Sequence, residues 1–285
     1  MIETEDLRKS YEAVEALRGL DLRVPAGSIC GFLGRNGAGK TTAMKILLGL
    51  THPTSGRARL FDLDAGVAAE SIEIRRRCAF VSEDKDLYTY MTVGEMIGFT
   101  ASFFPQWRAD LQDRYARRFA LPLNSRVKTL SRGGRTKLAL LLALCRGAEL
   151  LILDEPTSGL DPAMVEEVLQ LLVASEGTTI FFSSHQIAEV EQVADRVVMI
   201  DGGRAVVSGD LDELRARYGR VRAVFAGDAP QAPLPARVKR DGRVLTAIGD
   251  AGAITSELRA LQPVSIEVMP VALKDIFLEC AHAEE

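Results

Sequence analysis

The stretch from Gly34 to Thr42, GRNGAGKTT, constrains this chain more than any other. It fits G-x-x-x-x-G-K-[ST], a loop whose backbone N–H groups wrap the phosphates of a nucleotide. Gly34, Gly37 and Gly39 let the backbone turn tightly and approach an anion with no Cβ in the way. Lys40 has the reach for the β- and γ-phosphates, and the Thr41 hydroxyl can ligate Mg²⁺. The apolar run Ser28 to Leu33 (SICGFL) reads as a buried strand, and Thr42 to Leu50 (TAMKILLGL) as a helix. That context aims a helix N-terminus at the phosphates. Candidate contacts are therefore Gly34, Asn36, Gly37, Ala38, Gly39, Lys40, Thr41 and Thr42. The competing reading is a Gly-rich turn that binds nothing.

Strands alternate with helices around this loop, which predicts an α/β domain with a largely parallel sheet. Leu20-Asp21-Leu22-Arg23-Val24 alternates as a half-buried strand, and residues 2–25 read as two short strands. Arg57 to Leu63 reads as a strand, residues 70–78 as a helix, and Cys78 to Val81 (CAFV) as a short buried strand. Residues 86–128 differ in texture, with Tyr88, Tyr90, Phe99, Phe103, Phe104, Trp107, Tyr115 and Phe119. Helical periodicity across Val93 to Phe104 and Asp110 to Phe119 predicts an inserted helical subdomain over about 86–145. Leu138 to Cys145 is apolar all round, as a buried helix is.

Leu150 to Leu153 (LLIL) and Thr178 to Ser183 (TTIFFS) read as buried parallel strands. Asp161-Pro162 opens a helix, with Asp as cap and Pro at the first position. Residues 186–194 read as a helix. Val197 to Ile200 and Arg204 to Val207 form a hairpin over Asp201-Gly202-Gly203. Beyond about Tyr218 the chain changes again. Gly227 to Ala236 reads as a loop and Val238 to Ala247 as a hairpin on Asp241-Gly242. Residues 252–261 read as a helix, Ser265 to Val268 as a strand and Leu273 to Ala283 as a helix. The organisation expected is 1–218 as a nucleotide-binding domain and 219–285 as a small C-terminal extension.

Bulk properties exclude several classes. With 47% hydrophobic and 26% charged residues, the chain has an ordinary globular composition. A net charge of −4 gives no basic field for sequence-blind nucleic-acid binding, so no nucleic acid is expected as partner. Cys30, Cys78, Cys145 and Cys280 form no C-x-x-C pair, which fits a reducing compartment, and Cys30 and Cys145 sit in apolar runs as buried core thiols do. The N-terminus MIETEDLRKSYE has no apolar signal core. No uncharged apolar run approaches the ~18 residues of a membrane span, so any membrane role is expected to come through a partner.

In Leu150 to Pro156 (LLILDEP), a buried strand ends in two carboxylates at the sheet edge where ligands sit. Asp154 suits Mg²⁺ as the acidic partner of Thr41, and Glu155 suits the activation of water. The bland alternative is a solvated acidic pair in a turn.

In this order the motifs resemble the nucleotide-binding subunits of ABC transporters, over residues 1 to about 215. Leu130 to Arg135 reads LSRGGR where that family's signature reads LSGGQ. Ser158-Gly159-Leu160-Asp161 matches its D-loop, and His185 after TTIFFSS matches its switch histidine. Tyr11 stands where the family stacks an aromatic ring on adenine. His52 and His282 are read as structural.

The resemblance implies a P-loop NTPase core with a mostly parallel sheet, an N-terminal antiparallel β subdomain, the inserted helical subdomain and the small α/β extension. It implies ATP and Mg²⁺ as ligands and Glu155, His185 and Lys40 as catalytic residues. Thr41, Asp154 and Glu83 would hold the metal, and Tyr11, Glu83, Ser131 and Gly133 would join the loop in binding nucleotide. Ser131 and the Gly133 backbone, heading a helix that begins near Arg135, would act on ATP held by a second nucleotide-binding subunit, since each motif occurs once. The other partner implied is a separate transmembrane permease subunit, docked on the aromatic segment around Tyr88, Met91, Phe99 and Phe103. That places the chain in the cytoplasm, peripheral on the inner face of the cell membrane. Glu83 and the close Leu273 to Leu278 (LKDIFL) resemble exporters, in which the extension would stabilise or regulate the dimer. The rival is a soluble ABC ATPase of DNA repair or translation, whose doubled domain or coiled-coil insertion is not seen here.

Two departures stand out. Glu83 occupies a position where Gln is common, and a carboxylate cannot donate a hydrogen bond when ionised. Arg132 and Gly134 replace the usual Gly and Gln of the signature. Arg132 is read either as a phosphate-steering charge or as a solvated surface residue.

Overall fold

The computed structural model describes residues 1–175, 177–234 and 236–282. Strands β1 (Ile2–Tyr11) and β2 (Val14–Val24) form an antiparallel hairpin. Both exceed the short strands expected, because Ile2, Leu7 and Leu17 are buried along with Leu20, Leu22 and Val24. β3 (Ile29–Gly34) enters the centre of the molecule, and the phosphate-type loop leads into α1 (Lys40–Leu47), which begins before the expected Thr42. Arg57 to Leu63 is not one strand. β4 (Ser55–Leu60) turns through Phe61 and Asp62, at φ +55° and +66°, into β5 (Leu63–Asp64). The antiparallel sheet β2–β1–β4–β5 results.

After α2 (Ala68–Arg77) and β6 (Cys78–Val81) come the three helices of the insertion. α3 (Val93–Ala101) starts with a reciprocal cap: Glu95 N–H donates to Thr92 Oγ1 at 3.2 Å and Thr92 N–H to Glu95 Oε2 at 2.7 Å. α4 (Ala109–Arg118) stacks Tyr115, and Phe119 behind it, toward Leu138 and Leu141 of α5 (Arg132–Cys145). α5 begins at Arg132, not near Arg135. Ser131 Oγ accepts the Gly134 N–H at 3.1 Å, and this cap offsets the low helix propensity of Gly133 and Gly134.

β7 (Leu150–Leu153), α6 (Pro162–Val173), β8 (Thr179–Ser184), α7 (Ile187–Val193), β9 (Arg196–Asp201) and β10 (Arg204–Asp210) complete the core. Asp161 caps α6 by accepting the Met164 N–H at 3.1 Å. The central sheet runs β10–β9–β3–β8–β7–β6 and is parallel except for β10. The carboxyl ends of β3, β7 and β8 thus deliver Gly34, Asp154 and His185 to one edge.

α8 (Leu211–Arg217) runs directly into β11 (Tyr218–Val224), two elements not anticipated. β12 (Arg237–Asp241), β13 (Val244–Asp250), α9 (Ala251–Ala260) and β14 (Ser265–Pro270) then form the antiparallel sheet β12–β13–β11–β14 with one covering helix. Pro235 of the loop before β12 lies outside the described residues. α10 (Leu273–His282) returns to the core. Leu273 and Ile276 are fully buried in one cluster with Val190, Val207, Leu211 and Leu214. Burial of two such side chains stabilises by about 1.5–3 kcal/mol each. Ala283, the expected end of this helix, and the His282 side chain lie outside the described residues. Among the described residues, no helix is long and apolar enough to cross a membrane.

Candidate active site

The loop between β3 and α1 depends on glycine at two places. Gly37 and Gly39 have φ of +82° and +107°, and a Cβ on Gly39 would lie 2.5 Å from the Ala16 carbonyl oxygen. Gly39 caps α1 without a side chain, so no side-chain acceptor takes the first-turn N–H groups of that helix. Those are the donors an anion takes.

Around the loop, the buried polar groups form one network. The Lys40 ammonium donates to the Gly34 carbonyl at 2.7 Å and the Arg35 carbonyl at 3.3 Å, and lies 3.1 Å from Glu155 Oε1. Thr41 Oγ1 donates to Asp154 Oδ2 at 2.7 Å. Ser183 Oγ donates to Asp154 Oδ1 at 2.7 Å and accepts the Glu155 N–H at 2.8 Å. His185 Nδ1 stands 2.8 Å from Glu155 Oε2. Asp154 and Glu155 are 1% and 5% exposed, so their charges work in a weakly screened setting. Lys40 lies off the hydrogen-bonding direction of Glu155 Oε1, which has an ion-pair contact there but accepts no hydrogen bond among the described residues.

The other candidates are placed apart. Tyr11 is half-exposed at the end of β1, with the Lys9 ammonium 4.8 Å from its ring centre. Glu83 is exposed and accepts from Ser158 Oγ at 3.4 Å rather than from Thr41. Ser131 and Gly133 head α5 against the D-loop, where a Cβ on Gly133 would meet Met164 Cε at 3.1 Å. No hydrogen bond or ion pair joins either to residues 34–42 among the described residues. Arg132 is exposed, as the surface reading expects, yet its guanidinium is anchored. Its guanidinium lies over Gly159 and donates to Ser158 Oγ at 3.2 Å. The two departures from the family pattern therefore meet on one serine.

Three contributors escape sequence reasoning. Lys85, in the polar run SEDKD, is buried and donates to the Glu155 carbonyl oxygen at 3.2 Å. Burial, and then the neighbouring Arg132 guanidinium, hold its pKa below the ordinary lysine value. Ser183 follows the apolar run of β8 and reads as filler. Glu189 lies in α7, where its buried Oε2 accepts from Thr157 Oγ1 at 2.8 Å and Ser184 Oγ at 2.7 Å. It ties the turn after Glu155 to the end of β8.

This donor set fits a nucleotide with a hard divalent cation. Mg²⁺ typically takes one or two protein oxygens and completes its shell with phosphates and water, and Thr41 with Asp154 offers that pair. Among the described residues, no three His, Cys, Asp or Glu side chains are grouped so as to hold a metal ion by themselves.

Known proteins agree. The family described as ABC transporter matches residues 17–158. The chain is 36% identical over 227 residues to the daunorubicin/doxorubicin resistance ATP-binding protein DrrA of Streptomyces peucetius, spanning 76% of this chain and 68% of that one. It is 36% identical over 293 residues to the daunorubicin resistance ATP-binding protein DrrA3 of Streptomyces coeruleorubidus, spanning 96% and 92%, so that similarity takes in the C-terminal sheet. A solved ATP-binding subunit of an ABC transporter superposes with a TM-score of 0.68 at 29% identity, over 76% of this chain and 92% of that one. The chain belongs to the ABC transporters, as one of their ATP-binding proteins.

Proposed function

We propose that this chain closes with a second nucleotide-binding subunit around ATP and Mg²⁺, and that hydrolysis drives a separate membrane-spanning subunit that exports its cargo. As a member of this family it is an ATP hydrolase. The observation that carries the mechanistic reading is the convergence of Lys40, Glu155 and His185 within 3.1 Å contacts at the mouth of the loop, beside the Thr41–Asp154 pair.

The first-turn N–H groups of α1 and the Lys40 ammonium bind and orient the β- and γ-phosphates. Glu155 accepts the proton of the attacking water, and His185 orients that carboxylate while contacting the γ-phosphate. Thr41 and Asp154 would hold Mg²⁺, whose charge would offset the negative charge of the phosphates. Ser131 and the Gly133 N–H supply donors to ATP bound by the partner subunit. The lack of a contact between these two and their own loop supports that division of labour.

Tyr88, Tyr90, Phe99 and Phe103 support the membrane partner. All four are exposed, with ring centres 5.8 Å apart for Tyr88–Tyr90, 5.6 Å for Tyr88–Phe99 and 5.0 Å for Phe99–Phe103. Such a row suits a short amphipathic helix of the permease, met on the cytoplasmic face of the membrane. Export is supported by the printed names of the relatives, which speak of daunorubicin resistance and bacitracin transport. Residues 219–285 we read as an extension that stabilises or regulates the dimer. Phosphate release tests the core of the reading: Glu155→Gln is expected to lower ATPase turnover about 10²–10⁴-fold with ATP binding intact. Turnover at the wild-type rate would remove Glu155 from the base role.

A further inference from the structure

We infer that Lys85 is a positioning residue for hydrolysis, holding the backbone of Glu155 so that its carboxylate faces the attacking water. The proposal rests on the role given to Glu155 above. Glu155 has φ +46°, in the left-handed region that residues with a Cβ enter only at a cost. Such a conformation persists only when its surroundings over-determine it. Here the peptide groups on both sides are held by side chains from elsewhere. The Glu155 N–H donates to Ser183 Oγ of β8 at 2.8 Å, and its carbonyl oxygen accepts from Lys85 Nζ at 3.2 Å as well as from the Ser158 N–H of its own turn at 3.2 Å. Ser183 Oγ is itself fixed by donating to Asp154 Oδ1 at 2.7 Å.

Lys85 is well placed to be the adjustable half of this clamp. It is 7% exposed, and its own backbone has φ +49° just after β6. Burying an ammonium is costly unless it is hydrogen-bonded, and the Glu155 carbonyl is the acceptor it has found. Its side chain also walls a cavity of about 380 Å³ between the end of β6 and the helical subdomain, with Ser82, Leu87, Met96, Thr100 and Arg146. Lys85 thus borders the cavity along its side chain and bonds the Glu155 backbone at its tip. Neither Lys85 nor its ammonium touches Glu155 Oε1 or Oε2, so the residue acts through the main chain and not as an acid or base.

Lys85→Met keeps the length of the side chain and removes the donor. We expect kcat for ATP hydrolysis to fall about tenfold or more, as small misplacements of a catalytic group do, while KM and ATP Kd stay within twofold. Lys85→Arg, which can still donate to the carbonyl, is expected to recover part of the rate. In the Glu155→Gln background, Lys85→Met should change the residual rate less than twofold, because there is no carboxylate left to aim. Should Lys85→Met fail to fold, Lys85→Gln replaces it with the same expectations. A kcat within twofold of wild type in a protein whose Glu155→Gln variant is impaired overturns the proposal alone. So does a fall of equal factor in both backgrounds, which marks a structural role. Wild-type turnover in Glu155→Gln removes the catalytic reading and this proposal with it.

Discussion

Lys40 Nζ stands 3.1 Å from Glu155 Oε1, with both side chains more than nine-tenths buried. The two charges offset each other without a hydrogen bond between them, and a lysine that turns to a γ-phosphate must release the carboxylate. Glu155→Gln takes away the lysine's anionic partner but leaves it the Gly34 and Arg35 carbonyls. We expect the nucleotide-free variant to lose about 1–2 kcal/mol, roughly 2–8 °C in Tm. Saturating ATP restores the missing negative charge, so the ATP-induced rise in Tm is expected to be larger in the variant than in wild type. Thermal unfolding with and without ATP measures both; an equal or smaller rise would contradict the ion pair's role.

Arg132 and Glu83 both engage the Ser158 hydroxyl, at 3.2 and 3.4 Å. Restoring the common family residues one at a time, Arg132→Gly and Glu83→Gln, should therefore give non-additive effects on kcat. A coupling of about 0.5–1 kcal/mol is expected for exposed groups of this kind, a twofold to fivefold deviation from the product of the single effects. High salt should shrink it. Four kcat values measured at two salt concentrations decide the matter, and strict additivity at low salt counts against a matched pair.

Tyr90 is the most exposed of the aromatic row, at 68%. Tyr90→Asp places a charge on that surface without touching the core formed by Tyr115 and Phe119. Co-purification with the membrane subunit should be lost while ATP Kd stays within twofold. Retained co-purification would move the docking site elsewhere.

Burial pushes the thiols of Cys30, Cys78 and Cys145 up to about 12. Near neutral pH they carry almost no thiolate, the reactive form. Cys280 is also raised by burial but only partly enclosed, with the Tyr218 hydroxyl at 3.5 Å. An aromatic disulfide reagent at pH 8 is expected to modify Cys280 first and slowly, faster as pH rises. The other three should react only after unfolding. Rapid labelling of any of these three in the native protein would mean that its packing is looser than described.

CAFV and LLIL could be located to the residue because a continuous apolar run flanked by charge has one reading in a parallel sheet. The junction of α8 and β11 could not, since LDELRARYGRVRAV passes from helix to strand at Arg217–Tyr218 with no proline or turn pair to mark it. In the site, Lys40, Thr41, Asp154 and Glu155 stand out because their chemistry is tied to short spacings along the chain, whereas His185 is legible only through the family resemblance. Lys85, Ser183 and Glu189 do not stand out. Each acquires its place from a partner far along the chain, 70 residues for Lys85 and Glu155, and a polar run or a helix face carries no trace of such a pairing.

β3, the strand that presents the phosphate loop, is flanked by β8 and β9, which lie roughly 150 residues further along the chain. During synthesis at the ribosome, the loop would emerge long before either neighbour exists. The helical insertion, whose core is mostly local, can collapse in the meantime. The nascent chain thus has a folding order written into it: the nucleotide cradle is made well before the strands that wall it. A cell that truncates this protein near residue 175 would retain the whole loop motif and lose the strands that hold it open.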